Sequence, residues 1–290
     1  SKYILTPKAP DTPRINGAMI FGIRPGSPFL YTIPATGIRP MSFAVENLPK
    51  GLKVNTETGQ ITGSIKKVGE YVVTFIAKNS LGEARRSFKI VVGDKLALTP
   101  PMGWNSWDCY GAAVTEKDVK ANADYMAKHL KQYGWEYIVV DIEWYQPTAA
   151  SHAYEPFSDL CMDEYGRLLP AVNRFPSATD NAGFKPLADY VHSLGLKFGI
   201  HIMRGMPRMA AHKNLPIKNS TYTARQVANP NSICEWNPDM YGLKCDDQTE
   251  GSLDYYKSLF DLYATWGVDF VKVDDIAREY PHCRREIELI

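Results

Sequence analysis

The stretch WGVDFVKVDDIAREY, residues 266–280, decides the fold together with GWEYIVVDIEWYQP, residues 134–147. Each passes through a short apolar run, Phe270, Val271 and Val273 in one and Ile138–Val140 in the other. Each then ends in acids: Asp274 and Asp275, or Asp141 and Glu143. Isolated buried charges are costly unless paired or hydrogen-bonded, so two strands that finish this way point to a pocket that requires them. Side chains alternate along a strand. That places Lys272 and Asp274 on one face with Asp275 turned elsewhere, and Asp141 and Glu143 on one face with Ile142 turned away. At least three carboxylates and one ammonium then converge, with Lys272 offsetting the repulsion and holding Asp274 ionised.

Working outward, strands alternate with helices. Met102–Trp107, Tyr137–Glu143, Leu196–Met203 and Asp269–Asp274 read as strands. Lys117–Tyr133 carries Val119, Ala123, Met126 and Leu130 at helical spacing, with Thr115 as a cap and Asp118 three residues on. Phe184–Leu194 and Ser252–Trp266 are further helices, the latter with Leu253, Tyr256, Leu259, Phe260 and Tyr263 on one side. Gly134, Gly195 and Gly267 supply the stops. The order is that of a parallel sheet covered by helices. Trp107 with Asp108, Asp141 with Glu143, His201, and Asp274 with Asp275 all follow at C-terminal strand ends, which favours a (β/α)8 barrel. A doubly wound sheet would use the same ends, but no glycine-rich phosphate loop is present. Four strands precede CRREIELI, residues 283–290, the start of a fourth helix. A barrel takes about 250 residues, so residues 94–290 are expected to form the first half of one, within a longer protein.

Residues 1–93 have another rhythm. Ser42–Val45, Ile61–Gly63, Tyr71–Ala77 and Ala84–Val92 alternate or run apolar, separated by the turns LPKG, NTETG, KKVGE and NSLGE. Short strands at this spacing predict a β-sandwich, joined to the barrel by GDKLALTPP at 93–101.

Composition narrows the function classes. Of the 290 residues, 44% are hydrophobic and 22% charged, and the net charge is +1, which gives no electrostatic case for nucleic acid or an anionic membrane. No apolar run is long enough to span a bilayer, and the first residues carry no apolar signal core. Five cysteines form no CxxC pair, arguing against a zinc or thioredoxin-like motif. Cys234 and Cys245 share one loop and could bridge; free half-buried thiols are the alternative.

LPKGLKVNTETGQITGSIKKVGEYVVTFIAKNSLGEARRSFKIVV (48–92) resembles the immunoglobulin-like, cadherin-like module attached to bacterial secreted and surface enzymes. The resemblance implies a spacer or contact module, and a secreted, periplasmic or cell-surface location. TPPMGWNSWDCYG (99–111), YIVVDIEWY (137–145), GRLLPAVNRFPS (166–177) and WGVDFVKVDD (266–275) are similar to glycoside hydrolase family 27, the α-galactosidases and α-N-acetylgalactosaminidases. That resemblance implies a (β/α)8 barrel, retaining hydrolysis of a carbohydrate substrate through a covalent glycosyl-enzyme, and no metal or organic cofactor. Carried across, Asp274 matches the nucleophile, Lys272 a ligand of sugar hydroxyls, and Trp107 the aromatic wall. Asp141 matches the first of two aspartates that bind the 4- and 6-hydroxyls of galactose. Ile142 stands where the family has the second, and Glu143, one residue later, is expected to take over a hydroxyl contact. His201 stands where members commonly have a tyrosine. The acid/base aspartate is expected beyond Ile290.

Other readings stay open. Asp274 could cap the following helix or pair with Arg278. Asp275 reads as its structural partner, Trp104 and Trp135 as core, and Asp246 with Asp247 as a solvated loop. The connection from Arg204 to Glu250, with Trp236, could extend the sugar subsites or be a rigid surface excursion. At the level of function, a non-catalytic carbohydrate-binding barrel and a Schiff-base lyase using Lys272 stand beside the glycosidase. The sugar is left open among galactose, N-acetylgalactosamine, β-L-arabinopyranose and glucose-type linkages.

Overall fold

A computed structural model describes residues 8–153, 155–245, 249–276 and 283–290. The suggested partner Arg278 and the pair Asp246 and Asp247 lie outside the described residues. Contacts divide the chain into two units, Ser1–Gly103 with Asp124–Glu136, and Trp104–Ala123 with Tyr137–Ile290.

In the first unit, β1 (Arg14–Ile15) pairs with β4 (Ala35–Thr36). A three-stranded sheet holds β3 (Phe29–Thr32), β6 (Leu52–Val54) and β7 (Gln60–Gly63) in the order β3-β7-β6. A four-stranded sheet runs β2 (Ile20–Ile23), β9 (Gly82–Val92), β8 (Gly69–Asn79), β5 (Ser42–Glu46). Alternation along β8 and β9 puts Val73, Phe75, Ala77, Phe88, Ile90 and Val92 inside, where period-two patterning requires them. Phe75 and Phe88 stack at 4.4 Å between centroids, with Tyr31 against both. This is the immunoglobulin-like sandwich. The strands anticipated from turn spacing are present, each longer by one to four residues. β1, β2, β3, β4 and β6 were not anticipated, because Ile20–Ile23 and Phe29–Thr32 do not alternate cleanly and Arg14–Ile15, Ala35–Thr36 and Leu52–Val54 are too short to show a period.

In the second unit, a sheet of β10 (Gly103–Asn105), β11 (Tyr137–Val140), β12 (Lys197–Met203) and β16 (Phe270–Asp274) follows chain order. β11 and β12 are parallel, as are β12 and β16, with His201 opposite Lys272 and Met203 opposite Asp274. α1 (Trp107–Tyr110) and α2 (Glu116–His129), the latter belonging to this unit up to Ala123, follow β10, and α3 (Lys185–Ser193) precedes β12. α6 (Glu250–Trp266) leads into β16, and α7 (Arg284–Leu289) comes after it. Parallel strands with intervening helices form the first half of a (β/α)8 barrel. The cap on α2 is reciprocal: Thr115 N–H donates to Asp118 Oδ2 at 3.0 Å, and Asp118 N–H to Thr115 Oγ1 at 3.4 Å. Gly267, at φ 78°, ends α6 in a left-handed turn that a Cβ would strain.

Three sequence expectations change. β10 stops at Asn105, and Trp107 opens a short helix instead of ending a strand. β11 stops at Val140, so strand alternation does not govern Asp141, Ile142 and Glu143. On α6, Leu253 is 49% exposed while Tyr255 is buried, so the inward face is turned toward Tyr255, Tyr256, Leu259, Tyr263 and Trp266. The connection after Arg204 is itself folded. β13 (Met206–Pro207), α4 (Arg208–Lys213), α5 (Ala224–Val227), β14 (Ala228–Ile233) and β15 (Met240–Leu243) build an antiparallel sheet in the order β13-β15-β14. No disulfide joins Cys234 to Cys245; both are buried, and burial pushes the Cys234 thiol up to about 12.

Candidate active site

The site is assembled at the C-terminal ends of the strands of this sheet. Asp274 is the last residue of β16, and its side chain is 42% exposed. Its Oδ1 accepts the N–H of Asp275 at 2.8 Å, and its Oδ2 lies 3.3 Å from His201 Nε2. A carboxylate only accepts, so the imidazole proton sits on Nε2. The His201 hydrogen bond is the main cause that holds the Asp274 carboxyl down at about 2, against the opposing effect of burial. The Asp275 N–H helps, and Lys272 contributes least among the favourable contacts. Asp274 is therefore ionised at neutral pH, held so by His201 first, with Lys272, the residue the sequence pointed to, a smaller contributor.

Lys272 faces Asp141 instead. Its Nζ is 2.8 Å from Asp141 Oδ2, on a carboxylate only 1% exposed. The same oxygen accepts Asn105 Nδ2 at 2.6 Å, while Oδ1 accepts the N–H of Ile142 at 2.9 Å. Asp141 N–H donates to Ser106 Oγ at 2.9 Å. Asn105 Oδ1 in turn receives the N–H of Trp107 at 2.9 Å, which ties the start of α1 to the end of β10. A buried acid with this many donors is satisfied. An ammonium locked on it is poorly suited to a Schiff-base amine, which must be neutral to react.

Glu143 has separate partners. Its Oε1 receives Asn237 Nδ2 at 2.9 Å from the folded excursion, and its Oε2 is buried with no hydrogen-bond partner among the described residues. Burial pushes its carboxyl up to about 7, with Asp239 adding to the rise and Asn237 opposing it. The loop that carries it is tied by Arg174, whose Nη1 donates to the carbonyls of Glu143 and Gln146, each at 2.8 Å. Its Nη2 donates to the carbonyls of Val114, at 2.8 Å, and Ala112. Trp144 Nε1 donates to the His201 carbonyl at 2.8 Å, seating this loop on β12.

The structure thus joins Asp274 to His201, and Lys272 to Asp141, Asn105 and Trp107. Trp107 is half-buried, its ring edge-on to His152 at 5.0 Å between centroids. Asp275 turns away to Arg204, 2.7 Å from Nη2. Trp104, Trp135 and Trp236 are half-buried, not core. Asn105, Arg174, Arg204 and Asn237 were not singled out from sequence. Asn105 and Arg174 lie inside the motifs MGWNSW and VNRFPS, where an amide or guanidinium beside aromatics was the available signal.

Comparison with known proteins bears on the family and the fold. Residues 99–241 match the family described as "Alpha galactosidase A", and residues 12–93 the "Putative Ig domain". A β-L-arabinopyranosidase of family GH27 from Geobacillus stearothermophilus, solved as a variant with arabinose, is 64% identical to this chain. The match covers 67% of this chain and 45% of that one, with a TM-score of 0.64. The chain belongs to glycoside hydrolase family 27. Another solved structure, from Bacillus halodurans C-125 and described as a "putative alpha-N-acetylgalactosaminidase", is 67% identical. It covers 67% of this chain and 46% of that one, with a TM-score of 0.62. A "putative alpha-galactosidase" from Bacteroides fragilis NCTC 9343 is 32% identical, covers 93% of this chain and 46% of its own, and has a TM-score of 0.64. The chain spans 35% and 31% of the length of the first curated α-galactosidases it matches.

Proposed function

We propose that the protein of which this family 27 chain is part is a retaining exo-glycosidase. Its substrates are terminal α-galactosides or the closely related β-L-arabinopyranosides. The observation that carries this reading is the ionised, solvent-reachable Asp274 carboxylate at a strand end, held by His201 beside the Lys272–Asp141–Asn105 network. Asp274 attacks the anomeric carbon as the leaving oxygen departs, forming a glycosyl ester that water then hydrolyses. Lys272 and Asp141 bind sugar hydroxyls, Trp107 supplies an aromatic wall, and His201 keeps the nucleophile ionised. Glu143 takes a further hydroxyl through Oε2, which has no hydrogen-bond partner among the described residues. The acid/base is a carboxyl supplied by another part of the whole protein.

Ile142 favours the arabinopyranoside. It is buried and apolar where a second carboxylate would grip a 6-hydroxyl, and arabinopyranose has the galactose ring without that hydroxymethyl group. A relative at 64% identity is described as a β-L-arabinopyranosidase. The immunoglobulin-like module, with its boundary at residues 93/94, supports a spacer role and a location outside the cytoplasm. Among the described residues no helix is long and apolar enough to cross a membrane.

Two measurements test this on the full-length enzyme. Aryl β-L-arabinopyranoside should be turned over faster than aryl α-galactoside, and a 2-fluoro glycosyl fluoride should label Asp274 with loss of fluoride. Asp274→Asn should lower kcat by ~10³-fold or more. Turnover equal to wild type in that variant refutes the nucleophile assignment.

A further inference from the structure

Asp274 is held partly by a residue pair that has no role in the chemistry above. Its Oδ1 accepts the backbone N–H of the very next residue, Asp275, at 2.8 Å. That N–H lies in the Asp274–Asp275 peptide plane, and with the chain held on both sides the plane keeps its direction only while Asp275 stays at φ 62°, the left-handed region that a residue with a Cβ disfavours. Arg204 grips Asp275 twice, with Nη2 on Oδ2 at 2.7 Å and Nε on the carbonyl at 3.0 Å. Its own backbone N–H donates to the Asp274 carbonyl at 3.1 Å. The guanidinium is anchored from behind, with Nη1 on Ser232 Oγ at 2.8 Å and on Glu286 Oε2 at 2.9 Å. Glu286 Oε1 is fixed by the Tyr256 hydroxyl at 2.6 Å and the Leu243 N–H at 3.0 Å. Arg204 is 2% exposed. A strand end, an excursion sheet and α7 therefore meet on one buried cation.

We infer that Arg204 and Asp275 are positioning residues: their ion pair keeps Asp275 in a left-handed turn, and that turn aims its N–H at the Asp274 carboxylate. The inference rests on the reading of Asp274 as nucleophile. Among the described residues, the charged and titratable groups around the pair are His201 from β12, Lys272 with Asp141 beyond it, Arg204, Glu286 from α7, Tyr256 from α6, and the thiols of Cys234 and Cys283. Of these, His201 and Lys272 act on Asp274 whatever Asp275 does. Losing the Asp275 N–H removes one of the contacts that keep Asp274 ionised, so the acid limb of kcat/KM, which reports the free enzyme, moves to higher pH.

The test compares Asp275→Ala with Asp275→Gly in the full-length enzyme. Both delete the carboxylate that Arg204 holds, but only glycine adopts this φ without penalty. The alanine variant is expected to have kcat roughly tenfold or more below the glycine variant. Its acid limb should also move up, with little change of KM in either variant. Equal losses in the two, with an unmoved acid limb, mean a merely structural ion pair and overturn the inference. Asp275→Asn covers the case in which both variants misfold. Asparagine accepts the Arg204 bond and tolerates the left-handed region, so it should keep the wild-type acid limb, and a shifted limb overturns the inference. Labelling of wild-type Asp274 by a 2-fluoro glycosyl fluoride separates the two claims. Absent labelling sinks the nucleophile reading, whereas labelling with equal alanine and glycine variants sinks only the positioning.

Discussion

Arg174→Met should unfold the barrel half far more readily than wild type. Arg174 is 7% exposed and donates to four carbonyls, those of Ala112, Val114, Glu143 and Gln146. Methionine fills the volume and leaves all four acceptors behind. A hydrogen bond to a charged donor is worth about 1.5–3 kcal/mol net, and a buried orphaned group costs about 1–3 kcal/mol. The upper sum is too large, because burial draws the guanidinium down to about 10, so desolvation already offsets part of the gain. Roughly 1 kcal/mol per carbonyl gives a loss of ~3–5 kcal/mol, or ~6–20 °C in Tm for a domain of this size. Arg174→Lys, with fewer donors and no planar fork, should lose about half as much. Urea unfolding followed by tryptophan fluorescence reads this, since Trp144 is fully buried on the same loop. A methionine variant within about 1 kcal/mol of wild type would refute the view that these carbonyls depend on Arg174.

Two further outcomes are expected. Glu143, with its folded carboxyl at about 7, binds more protons folded than unfolded between the ordinary glutamate range and pH 7. Stability therefore falls as pH rises through that window, and Glu143→Gln should be the more stable protein at pH 8, by ~1–3 kcal/mol, but not at pH 4; urea midpoints at the two pH values measure the difference. Phe88→Ala removes a ring stacked on Phe75 in the sandwich core and should cost ~3–5 kcal/mol, seen as a lower Tm for the first unit in calorimetry.

The fold was legible where periodicity was strong. The apolar runs ending at Val140 and Asp274 and the spacing along α2 gave the parallel strands and their helices. Inside the sandwich, β8 and β9 were plain because eleven-residue strands show alternation clearly. β6, with three residues, shows none. At the site, the acids announced themselves by standing at the ends of hydrophobic runs, but their pairing did not. Strand parity put Lys272 beside Asp274, and the long ammonium reaches across to Asp141 instead. Parity also failed for Glu143, because β11 stops at Val140 and the chain beyond it is set by Arg174 and Asn237. Those contacts come from 31 and 94 residues away, separations that no local pattern encodes.

β12 is buried along all seven of its residues, and His201 within it has no exposed surface. Such a strand behaves as a fixed floor: a bulkier or shorter side chain there has nowhere to expand and nothing to fill the gap. Adaptation to a new sugar is thus channelled into the walls, the segment after β11 and the antiparallel insertion after Arg204. There an exchange at Ile142 or Asn237 can reshape the cleft while the histidine stays put.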